Sequence, residues 1–287
     1  MYGVMENGTP SCEISGCPRY EFDSPHPPNL KGDSMKNLTL VIIGRVILYV
    51  ALLMLGLGRL GHSEVTFTFD DGSRTQVVNG YPVLKQLNYP ATIYLVTKPL
   101  GYDDWYMNWG DVKTLSDAGW DIEAHTRTHP ELVKLTHRQL VNELNGCLAD
   151  LKWHGYLGRH FATPYGETNP VVQRELRKRF VSVRAGEIIL NELNQEDKLD
   201  RYRLSVFPLT ENSDLELMKR LIEHGTFEKR WLIFMVHKVL PDGDPRLKNE
   251  PYSVSVGKLK AVAAYCNLQG TKVVTVDQYF KEHGLEK

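Results

Sequence analysis

From residue 64 onward, short apolar runs alternate with longer stretches whose apolar residues recur at helical spacing. Val65–Phe69 reads as a strand, and Gln76–Leu87 follows with helical spacing, ending near Asn88. Ala91–Val96, rich in Ile, Tyr and Val, reads as a second strand. Trp109–Ala118 reads as a short helix stopped by Gly119, and Trp120–Ala124 as a third strand that delivers His125. Thr136-His137-Arg138-Gln139 has the form of a capping box and opens a long helix carrying Leu140, Leu144, Cys147, Leu148 and Leu151. Phe161-Ala162 is a short strand ahead of Thr163-Pro164-Tyr165-Gly166. Asn169-Pro170 is a cap followed by proline at the first helical position, which starts a helix to about Phe180. Val181–Val183 is again strand-like.

The second half repeats the rhythm. Tyr202–Phe207 reads as a strand, and Ser213-Asp214-Leu215-Glu216 as a second capping box opening a helix to about Glu223. Trp231–Val236 is the most apolar strand of the set and delivers His237. Ser255 caps a helix to about Leu268, Lys272–Val274 is the last strand, and Thr275-Val276-Asp277-Gln278 caps a terminal helix. Strand and helix alternate about seven times, which predicts an α/β fold with a parallel sheet and helical crossovers. A barrel is favoured over an open doubly wound sheet. Asp70, Asp71, His125, His129 and His237 all fall just after strands, and the C-terminal rim of such a barrel is where active sites form.

The pattern breaks down upstream. Residues 1–34 are rich in Pro, Gly, Ser and Asn without periodicity and read as disordered or as an upstream extension. Residues 35–62 open with Met35-Lys36 and carry an apolar stretch over 38–60, interrupted by Arg45. Its unbroken part, Val46–Leu57, is short for a spanning helix, which needs about 20 residues, and fits the apolar region of a signal peptide. A signal peptide or a membrane anchor is therefore expected over 35–62, with the remaining domain over 63–287 held outside the cytoplasm. The other reading of this stretch is a buried core helix.

Composition narrows the function classes. Hydrophobic residues make up 42% and charged residues 24%, which is ordinary for a globular protein. The net charge of -1 provides no field to draw in nucleic acid. Of the four cysteines, Cys12 and Cys17 lie in the N-terminal extension, while Cys147 and Cys266 read as isolated buried thiols or, alternatively, as one bridge.

The chemistry concentrates at Thr68-Phe69-Asp70-Asp71-Gly72, where a strand ends on two adjacent carboxylates. Adjacent carboxylates repel, so an unassisted structural role would cost stability; the bland alternative is a helix cap with an acid in the first turn. His125 and His129 are four apart, so one helical turn would aim both imidazoles at a common ion. With Asp70 or Asp71 they would form a three-ligand metal set that leaves coordination positions open for water and substrate. The other carboxylate would be free to act as a base. Trp105, Tyr106 and Trp109 precede the third strand and are read either as sugar-stacking rings or, by preference, as core.

Thr68-Phe69-Asp70-Asp71-Gly72, His125-Thr126-Arg127-Thr128-His129 and Thr163-Pro164-Tyr165-Gly166 resemble, in order, the first three motifs of the polysaccharide deacetylases, carbohydrate esterase family four. The resemblance covers about Glu64 to Gly284. It implies a distorted (β/α) barrel and a metal-dependent hydrolase that removes N-acetyl groups from N-acetylglucosamine-containing polysaccharide. By the family pattern Asp70 is the general base, and Asp71, His125 and His129 hold one divalent ion, usually Zn2+. The backbone N–H of Tyr165 helps hold the oxyanion, and His237 is the general acid. Two departures stand out. The family's arginine, two residues before the motif's proline, is Ala162 here, and Arg184 is the candidate to orient the base in its place. The aspartate that usually partners the acid histidine is not evident near Tyr202–Pro208. The form Phe161-Ala162-Thr163-Pro164-Tyr165-Gly166, with Tyr106-Met107-Asn108-Trp109, resembles the branch acting on extracellular poly-N-acetylglucosamine. Hydrolysis of a non-sugar amide or imide on the same fold, or a degenerate carbohydrate-binding module, are the competing readings.

Overall fold

Strand β1, Glu64–Asp71, sets the plan of the molecule. Its alternate residues serve two different cores. Val65, Phe67 and Phe69 are fully buried in an apolar layer between the sheet and its helices. Thr66, Thr68 and Asp70 point the other way; Thr66 Oγ1 donates to the Val274 carbonyl at 2.8 Å and Thr68 Oγ1 to that of Phe234 at 3.0 Å. The computed structural model describes residues 64–185, 194–228 and 230–286, all within the compact unit Leu57–Lys287. The segments 1–34 and 35–62 lie outside the described residues.

The strands that follow are β2 (Thr92–Leu95), β3 (Asp121–Ala124), β4 (His160–Ala162), β5 (Ser182–Arg184), β6 (Phe207–Pro208) and β7 (Trp231–Val236). They lie in the order β5-β4-β3-β2-β1-β7-β6, all parallel. The sheet curls into a half-barrel with helices outside. Strands β8 (Lys238–Leu240) and β9 (Ser253–Ser255) form a separate small sheet, and β10 (Lys272–Val273) pairs with the start of β1. The concave side holds a second apolar cluster that includes Tyr94, Ala162, Trp231, Met235 and Phe280. Burying a side chain of this size contributes about 1.5–3 kcal/mol, so two such layers bind the sheet from both faces.

The helices are α1 (Tyr81–Lys85), α2 (Trp109–Asp117), α3 (His137–Trp153), α4 (Pro170–Arg177), α5 (Leu215–Glu228), α6 (Val256–Leu268) and α7 (Val276–Glu282). The capping boxes at Thr136/Gln139 and Thr275/Gln278 form in full, and Ser255 caps α6. Cys147 and Cys266 are free and buried, so the bridge is absent.

Three local expectations are corrected. The Gln76–Leu87 helix opens as a π-helical turn, Gln76–Gly80, before α1. A Cβ at Gly80 would meet Val239 Cγ2 at 3.1 Å and Phe69 Cε1 at 3.2 Å, so this turn presses its backbone onto the sheet where a side chain would crowd it. The strand expected over Tyr202–Phe207 reduces to Phe207–Pro208, because the segment crosses between sheet edges. Leu204 bridges to Arg184 on β5, and Phe207 pairs with Phe234 on β7. At the start of α5 the cap is Asp214, whose Oδ1 accepts the Glu216 N–H at 2.9 Å, while Ser213 Oγ turns back to the Pro208 carbonyl.

Candidate active site

Asp70, Asp71, His125, His129, Tyr165, Arg184 and His237 line one pocket of about 380 Å³ at the C-terminal ends of the strands. That size is at the low end for small-molecule sites. The backbone carrying these groups is strained. Asp71, Thr126, His129 and Tyr165 have φ of 74, 68, 63 and 58°, in the left-handed region that non-glycine residues avoid at a cost of order 1–3 kcal/mol each. The remaining such residue among those described, Asn88, sits in an ordinary turn after α1. Gly72 follows Asp71 at φ 83° and lets the chain reverse away from β1.

His125 leaves β3 fully buried, and its Nδ1 is 2.8 Å from the Ala162 carbonyl. That contact fixes the ring with Nε2 turned to Asp71, the arrangement that orients a metal-ligating histidine. The helical turn expected between His125 and His129 does not form. His129 returns to the same point through left-handed backbone at Thr126 and His129 and through its N–H, which donates to Thr126 Oγ1 at 3.0 Å. Nε2 of each ring is 3.4 Å from Asp71 Oδ1, and one donor atom from each of the three residues lies within 4.8 Å of the others. These separations are too long for good hydrogen bonds. A tetrahedral ion with bonds of about 2.0–2.1 Å sets its donors roughly 3.3 Å apart. Asp71 Oδ1 is also buried without a hydrogen-bond partner. The residues therefore fit a divalent cation.

Burial pushes the Asp71 carboxyl up, but the adjacent His125 imidazole, with His237 and His129, outweighs it and holds the group well below the usual carboxylate range. Burial, and then His125, push His129 below its usual value despite the two aspartates. Both shifts favour the forms a cation needs, a carboxylate and a neutral imidazole.

Asp70 and Arg184 are each only 2% exposed and form a buried ion pair through Asp70 Oδ2 and Arg184 Nη2. Arg184 Nη1 also reaches Met235 Sδ at 2.9 Å, and its guanidinium lies 5.2 Å from the centroid of the Tyr94 ring. The sequence position expected to carry this charge, Ala162, is the register partner of Arg184 in the adjacent strand. Asp70 Oδ1 has no hydrogen-bond partner.

His237 Nε2 lies 3.8 Å from Asp70 Oδ2. Its ring packs 5.1 Å from that of Tyr252, a residue whose loop position gives no sequence signal. Residues 202–208 bring no carboxylate to His237. The exposed Tyr165 ring stands over His129 at 4.8 Å. Of the earlier aromatics, Trp109 stacks on His154 at 3.7 Å, whereas Trp105 remains 42% exposed with Lys238 Nζ 4.1 Å from its ring centroid. Gln76 also adjoins the site without being foreseen; its only signal is a polar residue among the apolar positions of a helix.

Residues 58–180 match the family model of the polysaccharide deacetylases. An 80-residue match to the putative polysaccharide deacetylase YxkH of Bacillus subtilis (strain 168) shows 36% identity and covers 28% of each chain. The poly-beta-1,6-N-acetyl-D-glucosamine N-deacetylase of Staphylococcus aureus is 26% identical over 141 residues, covering 41% of this chain and 47% of its own. The chain thus spans less than half the length of these relatives. Among solved structures, a family 4 acetyl xylan esterase from Clostridium thermocellum, in complex with a cobalt ion, superposes with a TM-score of 0.53 at 16% identity, covering 77% of this chain and 92% of that one. At that identity the likeness establishes the fold alone, a (β/α) half-barrel.

Proposed function

We propose that residues 63–287 form a metal-dependent N-deacetylase that hydrolyses the acetamide of N-acetylglucosamine units in a polysaccharide, releasing acetate. The observation that carries this reading is the division of the Asp70-Asp71 pair. Asp71 faces two histidines at ion-holding distance, while Asp70 faces Arg184 and His237. Similarity to a poly-N-acetylglucosamine deacetylase supports the glycan class.

Asp71, His125 and His129 would hold the ion, with Zn2+ suited to this N/O donor set. A divalent cation there supplies Lewis-acid polarisation of the acetamide and a nucleophile available at neutral pH. Asp70 accepts a proton from the attacking water, held in place for this by Arg184. The Tyr165 N–H, turned by its left-handed backbone, donates to the carbonyl oxygen as negative charge develops there. His237, beside Asp70, gives a proton to the departing amine as the C–N bond breaks. Binding a single N-acetylated sugar in the pocket, with the rest of the chain crossing the rim past Tyr165 and Tyr252, explains why both rings are left exposed.

The working place of such an enzyme on a cell-wall or extracellular glycan accords with the apolar segment 38–60, which lies outside the described residues. Among the described residues no helix is long and apolar enough to cross a membrane. The reading is tested by acetate release from N-acetylglucosamine oligomers. Activity should vanish with a chelator, return with Zn2+ and be lost in Asp70→Asn. Full activity in the presence of chelator would refute it.

A further inference from the structure

One buried polar side chain beside the pocket takes no part in the steps above. Gln76 is fully buried in the π-helical turn. Its amide nitrogen donates to two main-chain carbonyls, that of Asp70 at 2.5 Å and that of His237 at 2.6 Å. An amide NH2 has two protons to give, and both go to the residues assigned as base and acid. Because both partners are acceptors, the nitrogen and not the oxygen must face them.

The reason such a clamp is needed lies in the sheet. The β1–β7 ladder ends at Phe69↔Val236, one residue short of Asp70 and His237. Beyond it, regular pairing no longer fixes these two residues against each other, and their carbonyls require another donor. The same helical segment grips the acid's strand extension at two more points. Asn79 Nδ2 donates to the Val239 carbonyl at 2.7 Å, and Thr75 Oγ1 accepts the Val239 N–H at 3.2 Å. Gly80 lets this segment close on Phe69 and Val239. The stretch directly after Asp70-Asp71 therefore holds the stretch that begins at His237.

We propose that Gln76 is a positioning residue that fixes the separation between Asp70 and His237, taking over where the strand ladder stops. The inference rests on the acid–base division proposed above. Misplacing a reacting group by about 1 Å can cost on the order of 10²-fold in rate.

Gln76→Met keeps the volume and removes both donors. The expected result is a fall in kcat of about 10–100-fold, with KM and bound metal unchanged. A crystal structure of the variant should show the Asp70 Oδ2 to His237 Nε2 distance, 3.8 Å here, widened. Unchanged kcat in the folded variant would overturn the proposal. So would a fall in kcat accompanied by lost metal and raised KM, since that marks collapse of the whole pocket. If Gln76→Met does not fold, Asn79→Ala carries the test, because it loosens the His237–Val239 stretch and leaves the Asp70 bond intact. A lower kcat at unchanged KM supports the clamp there, and an unchanged kcat overturns it. A wild-type chain that releases no acetate sinks the functional reading instead, and the clamp is then judged on the Asp70–His237 distance alone.

Discussion

The two ends of the half-barrel each carry a cluster of acids and histidines, and they are built on opposite principles. At the N-terminal ends of the strands, His160 Nδ1 meets Ser182 Oγ at 2.7 Å and its Nε2 meets Asp277 Oδ1 at 3.2 Å. Glu123 accepts the His160 N–H, Asp121 accepts the Asp277 N–H, and Asp277 also takes Arg159 and Lys281. The Ser182–His160–Asp277 line has the residue types of a hydrolytic triad, yet Ser182 and His160 are fully buried and no substrate can reach them. At the rim, by contrast, Asp70 Oδ1, Asp71 Oδ1 and Arg184 Nε are buried without hydrogen-bond partners, on a strained backbone. A polar cluster whose bonds are all made is finished as a structure. One that is held with bonds unmade has something left to bind.

This contrast can be broken by substitution at either end. The largest effect is expected at the rim. Asp71→Asn should bring acetate release to background and remove the bound metal, measured by elemental analysis. The melting temperature of the metal-free protein at neutral pH should fall modestly, because the ionised Asp71 carboxylate loses its attraction to His125, His237 and His129. Arg184→Met should combine both kinds of loss. Leaving one partner of a buried pair alone costs about 3–5 kcal/mol, read by urea unfolding, and kcat should fall with it; unchanged activity would remove Arg184 from the site.

At the other end the effects should be confined to stability. Burial pushes the His160 imidazole below its usual value, against the pull of Asp277 and Asp121. Below a pH of about 6.5 the unfolded chain then binds a proton that the folded chain resists. Stability should therefore fall as pH drops from that point through the folded value. His160→Gln should flatten this slope in pH-dependent unfolding while leaving kcat at neutral pH unchanged. Glu123 has the opposite sign. Burial raises its carboxyl well above the usual range, so its contribution is present at low pH and is lost as pH rises. Glu123→Gln should make the protein more stable at neutral pH. The smallest effect on activity is expected from Ser182→Ala, which leaves the buried His160 Nδ1 without its partner at a cost of about 1–3 kcal/mol and causes no change in acetate release. Loss of activity there would move the catalytic centre to the wrong end of the barrel.

Much of this was legible along the chain. The strand ends carrying Asp70, Asp71, His125 and His237 follow from hydrophobic runs that stop abruptly, and local spacing places them on one rim. The caps at Thr136, Ser255 and Thr275 are local chemistry and appear as written. What sequence could not supply was anything decided between strands. Gln76 looks like a minor flaw in a helix until the fold sets it under two carbonyls from different strands. The 202–208 segment has strand-forming residues, but crossing from β5 to β7 prevents it from staying paired with either. The His160 network was invisible for the same reason, since its members come from four separate elements.

Ala162 and Arg184 sit side by side at the same level of the sheet. Neighbouring strands at a shared register offer interchangeable seats from which a long side chain can reach the same carboxylate. A motif read along a single strand treats Ala162 as a loss, whereas the barrel has moved the charge to the adjacent seat. Ala162→Arg combined with Arg184→Ala would return the charge to the other seat, and such a double exchange is a route by which related barrels can drift apart in sequence while the environment of Asp70 stays the same.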